Sequence, residues 1–401
     1  MMNEIVFSRL IDDFNTELDN ILLFWQERSV DTQFGGFVGR IDENNFIIED
    51  APKGVVLNAR ILWTFSAAFL KSKKDDHKFI AAKAYDYLQH FFIDPINGGV
   101  YWSVTNTGQP LDTRKQVYAI AFVIYAFAEW YKCCKEKSVL IKGIELYRLL
   151  EDHSRDSVFN GYLEAFDREW NLLDDLRLSQ KDANESKTMN THLHLLEAYS
   201  NLFLIWPDPA LKSDIQNLLK LFSSYFIDKD TGHLKLFFSQ NWQSRSDAIS
   251  YGHDIEASWL VPYCAAIIND NNIPEEWKTL SLAMTNAAMR AIDVDGGLWY
   301  EFDPEHGGLI KEKHWWPQAE TLIGFFNAWQ ISQDEIYLDA MMANWTYIKD
   351  YIIDYKNGEW FWGMDASNKP LLRQDKVGIW KCPYHNGRAC MEMIQRLEFY
   401  I

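Results

Sequence analysis

Apolar side chains recur at helical spacing along much of the chain. Neighbouring apolar positions lie three or four residues apart, as expected for one face of a helix. Two such stretches comprise Leu10, Phe14, Leu18, Leu22 and Trp25, and Val117, Ile120, Ala121, Ile124 and Tyr125. The pattern therefore predicts a chain built mainly from helices.

A short glycine-centred pattern interrupts these helical stretches. Acidic or polar residues precede the glycine, and alternating aromatic and aliphatic residues follow it, as in DPINGGVYWSV and VDGGLWYEFD. Turn residues followed by period-two alternation predict a short hairpin or strand. The six copies are centred on Gly36, Gly98, Gly161, Gly232, Gly297 and Gly358, at spacings of 62, 63, 71, 65 and 61 residues.

The repeat predicts the architecture. Each interval holds two helices and one hairpin, so six units supply twelve helices. Six helix pairs that close on themselves form an all-α (α/α)6 barrel, with inner helices around a central cleft, and we expect one catalytic domain over residues 1–401. An open solenoid of helix pairs is the alternative. The closed barrel is favoured because the sixth unit ends the chain without an obvious polar cap.

Polar side chains fall at a similar distance after the glycine in all six units. Similar offsets in a pseudo-sixfold barrel place these residues at one end of one cavity. Within a unit, residues three or four positions apart share one helix face. By unit, the candidates are Arg60; Tyr118; Asn190 and His194; His253 and Glu256; Trp316 and Glu320; and Trp380 and His385.

Several of these residues also have a structural interpretation. A single histidine on an apolar helix is usually a hydrogen-bonded core residue, and Glu256 could simply pair with Arg60. The HDIE segment with His385 could instead bind zinc, but the spacing does not bring the ligands convincingly together, and we expect no metal. His192 faces away from His194 and is interpreted as structural, Trp315 as core, and His306 as a residue without a functional signal.

Composition and charge narrow the function. The chain has 401 residues, of which 48 % are hydrophobic and 24 % charged, typical of a soluble globular protein. The net charge of −18 disfavours nucleic acid, and the 17 Trp residues are weakly suggestive of carbohydrate stacking. Five cysteines without a CxxC pair, an acidic start and no apolar run of bilayer length predict a cytoplasmic protein away from membranes.

Long motifs in the candidate segments resemble the cellobiose 2-epimerases, a group within the N-acylglucosamine 2-epimerase family. They are LNARILWTFSAA, KTMNTHLHLLEAY, YGHDIEASWL, WWPQAETLIGFFNAW and WKCPYHNGRACMEMI, and the resemblance extends over essentially the whole chain. It implies an (α/α)6 barrel and a disaccharide substrate such as cellobiose, lactose or epilactose, in a monomer or weak homodimer. Relatives that act on mannose or N-acylglucosamine, or that isomerise aldoses to ketoses, remain alternatives.

Inversion at C2 of an aldose needs ring opening, removal of the C2 proton, stabilisation of an enediolate and reprotonation from the other face. Two histidines suit the proton transfers, and His253 and His385, from units four and six, can flank a central ligand. The resemblance implies the same pair. Arg60 can hold the oxyanion, Glu256 and Glu320 can orient the histidines, and His194 can assist ring opening.

The remaining candidates are assigned to substrate binding. The resemblance implies that Tyr118, Asn190 and Asp182 hydrogen-bond sugar hydroxyls, while Trp316 and Trp380 are expected to stack on the reducing-end and distal sugars. No cofactor is expected, because the substrate carbonyl is the electron sink and no Gly-rich nucleotide loop is present. Two other classes stay open: a glycoside hydrolase with Glu256 and Glu320 as its carboxylates, and a non-catalytic sugar-binding protein.

Overall fold

The computed structural model describes residues 2–305 and 307–401, so that His306 lies outside the described residues. Twelve α-helices account for about half of this part of the chain. Their bounds are α1 Met2–Arg28, α2 Val55–Ser72, α3 Asp75–Tyr87, α4 Val117–Cys134, α5 Lys137–His153, α6 Met189–Phe203, α7 Pro209–Leu221, α8 Tyr251–Ile267, α9 Glu275–Met289, α10 Trp315–Ser332, α11 Glu335–Tyr347 and α12 Tyr384–Glu398. One π-helical turn extends each of α3, α7 and α11, at Leu88–Phe92, Phe222–Phe226 and Ile348–Ile352.

The even-numbered helices form a closed inner ring. Each packs against the next, and α12 packs against α2, which completes the circle. The odd-numbered helices lie outside, where α3, α5, α7, α9 and α11 pack on the inner helices that precede them. The first helix, α1, packs on the last, α12, so the sixth pair joins the two ends of the chain. The (α/α)6 barrel is confirmed, and the open solenoid is wrong.

The six glycine loops form the predicted hairpins. An isolated antiparallel bridge closes each loop, namely Val30–Phe37, Ile93–Val100, Arg155–Tyr162, Ile227–Leu234, Ile292–Leu298 and Ile353–Trp360. The turns depend on glycine where the backbone is left-handed. At Gly161 φ is +80°, and an added Cβ would lie 2.5 Å from the Trp242 ring, so this position excludes larger residues.

Short strands connect neighbouring units at one end of the barrel. The segment before each inner helix pairs with the hairpin of the following unit, as in β1–β2 and β4–β5, and the pair Ile41–Val377 joins the last unit to the first. The strands are β1 Lys53–Gly54, β2 Ser103–Val104, β3 Pro110–Asp112, β4 Lys115–Gln116, β5 Ala165–Phe166, β6 Lys187–Thr188, β7 Phe237–Phe238, β8 Ile249–Ser250, β9 Glu301–Asp303, β10 Gly308–Ile310, β11 Lys313–His314 and β12 Gly363–Met364.

A buried lysine lies two residues before the inner helix in four of the six units, and eight residues before it in the sixth. Its ammonium group binds an aspartate of the glycine loop in the same unit, so both charges are paired where desolvation would otherwise be costly. The pairs are Lys53–Asp31, Lys115–Asp94, Lys187–Asp156, Lys313–Asp293 and Lys376–Asp354, at 2.5–2.9 Å. In unit four Ile249 occupies the lysine position. These ties hold the helix N-termini in register around the barrel mouth.

One inner helix corrects an expectation from the sequence. Within the described residues, α4 is long and apolar enough to span a membrane by length and composition, although 72 % of it is buried inside the protein. The prediction that no segment approaches that length is therefore wrong at α4. The helix is apolar on nearly all sides because α2, α6 and its outer partner α5 surround it.

Candidate active site

The inner helices enclose a cavity of ≈ 730 Å³ at their N-terminal ends. Ten of the eleven predicted site residues line it: Arg60, Tyr118, Asp182, Asn190, His194, His253, Glu256, Trp316, Trp380 and His385. Glu320 lies just behind the lining, fully buried. First-turn residues of five inner helices, α4, α6, α8, α10 and α12, line this space, and each helix N-terminus carries a partial positive charge. The cavity is therefore electrostatically suited to a ligand that develops negative charge.

His385, in the first turn of α12, is held by a carboxylate. Its Nδ1 lies 2.7 Å from Oε1 of Glu320 on α10. Burial, reinforced by the positive charges of Arg60 and Arg388, keeps the pKa of His385 well below its usual value. The imidazole is therefore neutral at neutral pH, and a proton on Nδ1 would leave Nε2 free to act as a base.

His253, in the first turn of α8, has a different partner. Its Nδ1 lies 2.7 Å from the Ser250 hydroxyl, which precedes the helix. Burial lowers the pKa of His253 to about 3. The Trp316 ring lies between the two histidines, with its centroid 4.8 Å from that of His253 and 5.6 Å from that of His385. Two neutral imidazoles thus face the cavity from α8 and α12, on either side of α10.

His194, on α6, forms a second histidine–carboxylate pair. Its Nδ1 lies 2.9 Å from Oε2 of Glu197, one turn further along the same helix. The Tyr118 ring packs edge-on against the imidazole, with the centroids 5.1 Å apart. His192 points away, where it bonds Thr188 and the backbone N–H of Tyr162. The structural interpretation of His192 is confirmed.

Arg60 is a buried cation without a bonded carboxylate among the described residues. Its Nη2 donates to the Tyr118 hydroxyl at 2.7 Å, and its Nε is buried without a partner. The guanidinium lies over the Phe122 ring, 4.2 Å from the centroid. An arginine that is 3 % exposed and not neutralised by an anion retains its charge for a ligand.

Two charged residues that the sequence did not single out complete the site. Arg388, on α12, donates through Nη2 to Glu256 at 2.8 Å and to Glu320 at 2.7 Å, and through Nη1 to Glu197. The sequence predicts that Glu256 and Glu320 orient histidines. In the structure Glu320 bonds His385 and Glu197 bonds His194, whereas Glu256, in the cavity lining, bonds Arg388. Burial and the charge of Glu320 raise the pKa of Glu256 to about 7.

The outer part of the cavity is aromatic. Trp380 packs against Trp102 and Tyr118, at centroid distances of 5.9 Å. Asp182 lies in the segment before α6, where it accepts from the backbone and hydroxyl of Ser179. Next to it, Lys181 reaches across to the Tyr300 hydroxyl. Trp315 is 3 % exposed, as its core assignment predicts, and packs on Trp362 at the cavity wall.

Glu256, Glu320 and His385 place potential metal-ligating atoms within 4.8 Å of one another. The Arg388 guanidinium already binds both carboxylates, so a metal ion would have to displace a cation. We therefore expect purified protein to contain no stoichiometric metal and to keep its activity after EDTA treatment. Elemental analysis with assays before and after chelation tests this, and stoichiometric zinc with activity restored only by added zinc would contradict it.

Comparison with known proteins assigns the chain to a family. The model of the N-acylglucosamine 2-epimerase family matches residues 35–389. Cellobiose 2-epimerase of Bacteroides fragilis is 44 % identical over 98 % of this chain and 100 % of its own length, and that of Dictyoglomus turgidum is 37 % identical over 98 % and 99 %. The structure of cellobiose 2-epimerase from Bacillus thermoamylovorans superposes with a TM-score of 0.93 at 38 % identity, covering 97 % and 100 % of the two chains. The chain belongs to the N-acylglucosamine 2-epimerase family.

Proposed function

We propose that this protein is a cellobiose 2-epimerase that interconverts glucose and mannose at the reducing end of β-1,4-linked disaccharides. The observation that carries the proposal is the pair of neutral imidazoles, His253 and His385, on either side of Trp316. Inversion at C2 needs one group that removes a proton and another that returns one from the opposite face. The names of the relatives support cellobiose as the substrate.

The proposed reaction begins with ring opening, in which His194 moves a proton between the ring oxygen and O1. One of the two histidines then removes the C2 proton, and the electron pair moves through C1 onto O1 to give a cis-enediolate. The other histidine takes up a proton from water and delivers it to the opposite face of C2. Closure of the ring gives the epimer, and the two histidines return to their starting states by exchange with water.

Electrostatics favour the enediolate over the aldehyde. Arg60 has no bonded carboxylate among the described residues, and the N-termini of five inner helices adjoin the cavity. Both contributions grow as charge develops on O1 and O2, so they lower the barrier rather than simply tighten substrate binding. Asn190, Tyr118 and Asp182 supply hydrogen bonds to sugar hydroxyls in this proposal, and no cofactor or metal takes part.

Analysis of the reaction products distinguishes a cellobiose 2-epimerase from the other members of the family. Cellobiose, lactose, mannose and N-acetylglucosamine are incubated separately with the protein, and the products are resolved by NMR. We expect epimers of cellobiose and lactose at the highest rates. A faster reaction of mannose or N-acetylglucosamine, or a ketose as the main product, would assign the chain to another branch of the family.

The glycoside hydrolase alternative is disfavoured by the two carboxylates themselves. Retaining hydrolases hold the pair about 5–5.5 Å apart with the scissile bond between them. Here Glu256 and Glu320 both accept from one nitrogen of Arg388, and Glu320 is fully buried behind the cavity lining. A free glucose product from cellobiose would revive this alternative.

Trp380 provides a test of substrate length. If its ring stacks on the distal glucose, Trp380→Ala should lower kcat/KM for cellobiose several-fold, about 1 kcal/mol of stacking, and leave mannose nearly unchanged. Trp316→Ala is the contrasting variant, because it contacts both histidines and should impair both sugars. Equal losses on cellobiose and mannose in Trp380→Ala would place Trp380 at the reacting ring instead.

The proposal extends to the cellular location, the partners and the oligomeric state of the enzyme. We place it in the cytoplasm, because its five cysteines are free among the described residues and its net charge of −18 suits a small neutral substrate better than a polyanion. The proposal includes no nucleic-acid or membrane partner and a monomer or weak homodimer. Sedimentation velocity across a range of protein concentrations measures that state directly.

A further inference from the structure

Arg388 lies at the centre of a buried charge cluster below the cavity. Its guanidinium binds carboxylates from three other inner helices, Glu197 on α6, Glu256 on α8 and Glu320 on α10. The side chain is 2 % exposed and stacks on Trp259, 4.8 Å from the ring centroid. Because Arg388 does not line the cavity, any effect it has on the reaction must act through a neighbour.

Glu320 is the neighbour that leads to a catalytic histidine. Its Oε1 accepts from Arg388, and its Oε2 accepts from Nε1 of Trp259 at 3.0 Å. Guanidinium and indole N–H groups can only donate, so both oxygens are held as acceptors. Burial raises the pKa of Glu320, and the charge of Arg388 opposes that rise. If the carboxylate is ionised, the remaining bond at 2.7 Å runs from Nδ1–H of His385 to Oε1.

We propose that Arg388 is a positioning residue that keeps Glu320 ionised and thereby holds His385 in the tautomer with its proton on Nδ1. This inference rests on the proposed function, in which Nε2 of His385 exchanges a proton with C2. Without Arg388, a neutral Glu320 carboxyl would donate its own proton to Nδ1. Nε2 would then carry the hydrogen and could not accept one from the substrate.

The other charged and titratable groups around the pair do not replace Arg388. Arg60, the second cation near His385, donates to Tyr118 instead of Glu320. The two neighbouring carboxylates, Glu197 and Glu256, oppose ionisation of Glu320 by like charge. The charged and titratable groups on the helices packed around Glu320 and His385 are Arg60 on α2, Tyr118 on α4, His194 and Glu197 on α6, His253 and Glu256 on α8, and Tyr384 and Arg388 on α12.

The tautomer can be measured without reference to turnover. Protein labelled with 15N-histidine gives NMR signals that distinguish Nδ1–H, Nε2–H and imidazolium forms, and His385→Asn identifies the His385 signals by their loss. Near neutral pH we expect Nδ1–H in the wild type and Nε2–H in Arg388→Met. An imidazolium in Arg388→Met would mean that Glu320 stays ionised without Arg388, and would overturn the inference. An Nε2–H form of His385 in the wild type would overturn the inference, even if Arg388→Met failed to fold.

Kinetics give the second readout. Loss of the cation raises the pH at which Glu320 ionises, so the acidic limb of kcat/KM should move upward by about one pH unit or more in Arg388→Met, and Arg388→Lys should move it much less. Arg396→Met is the matched control, because Arg396 lies on the same helix and bonds Glu392, Asn327 and Gln330. We expect Arg396→Met to lower thermal stability and to leave the acidic limb of the kcat/KM profile unchanged.

If Arg388 had only a structural role, the two measurements would give a different result. Arg388→Met would then lose thermal stability like Arg396→Met, while the His385 tautomer and the acidic limb stayed as in the wild type, and this outcome overturns the inference. Failure of the proposed function is distinguishable, since it would appear as absence of 2-epimerisation by the wild-type protein on every sugar tested, whatever the tautomer of His385.

Discussion

His253→Ala and His385→Ala are each expected to abolish epimerisation. In the proposed mechanism each removes one of the two groups that transfer the C2 proton, and such groups contribute roughly 10²–10⁴-fold to the rate. Both side chains line the cavity, and both are neutral because burial lowers the pKa of each imidazole. Steady-state assays with cellobiose measure the loss, and thermal unfolding checks that the variants remain folded.

The two variants should still differ in a partial reaction. Each retains one histidine, and that histidine can exchange the C2 proton of the single epimer that faces it. His192→Ala is the control for loss of a buried imidazole outside the cavity, since it should lower stability but leave the rate per folded molecule. A variant of His253 or His385 within about tenfold of the wild type would remove that residue from the mechanism, a change of ~1.4 kcal/mol.

Arg60→Met is expected to lower kcat by roughly 10²–10³-fold, the usual effect of removing one oxyanion-stabilising donor. The guanidinium is buried and bonded to the Tyr118 hydroxyl, with no carboxylate bonded to it among the described residues. In the proposed mechanism its charge is therefore available to the enediolate. The effect should fall mainly on kcat, because the interaction strengthens as the charge develops. Separate determination of kcat and KM for cellobiose provides the measurement.

Two conservative variants locate the origin of the Arg60 effect. Arg60→Lys keeps the charge and should recover part of the activity. Tyr118→Phe removes the hydrogen-bond partner of Arg60 and one proposed contact to the sugar but keeps the cation, so it should lower kcat far less than Arg60→Met. If Arg60→Met raised KM and left kcat unchanged, Arg60 would bind the sugar in the ground state without stabilising the intermediate.

The fold could be predicted from the sequence because each copy of the repeat marks a turn whose backbone conformation requires particular residues. A loop such as that at Gly161 needs a left-handed residue, and the interval between loops fixes two helices per unit. The same periodicity predicts the end of the barrel where the site lies, since the first turns of α6, α8, α10 and α12 carry Asn190, His253, Trp316 and His385. Local pattern therefore determines both the architecture and the lining of the cavity.

The buried charge cluster was not predictable in the same way. Arg388 and Glu197 are separated by 191 residues in sequence, and nothing in either segment indicates which carboxylate a histidine or arginine will meet across the ring. A signal for their existence was present, because both are charged residues on apolar inner helices, in the segments NGRACMEMI and HLHLLEAY. Their pairing depends on the closed geometry of the barrel.

The apolar helix α4 shows that composition alone does not identify a membrane-spanning helix. Its hydropathy reaches that of a membrane span because a helix in the inner ring has neighbours on every side. Among its buried residues, only Tyr118, Tyr125 and Glu129 carry groups that can ionise. Length and hydropathy alone cannot distinguish such a helix from one that lies in lipid, whereas the ring of helix partners accounts for it.

The most direct test of two-base epimerisation is the conversion of cellobiose in D2O, followed by NMR. The account predicts a disaccharide with mannose at its reducing end that carries deuterium at C2, because each histidine exchanges with solvent between proton removal and proton return. The deuterium should enter nearly every product molecule in its first turnover. A mannose-containing product that keeps the original C2 hydrogen, or release of glucose without any epimer, would contradict it.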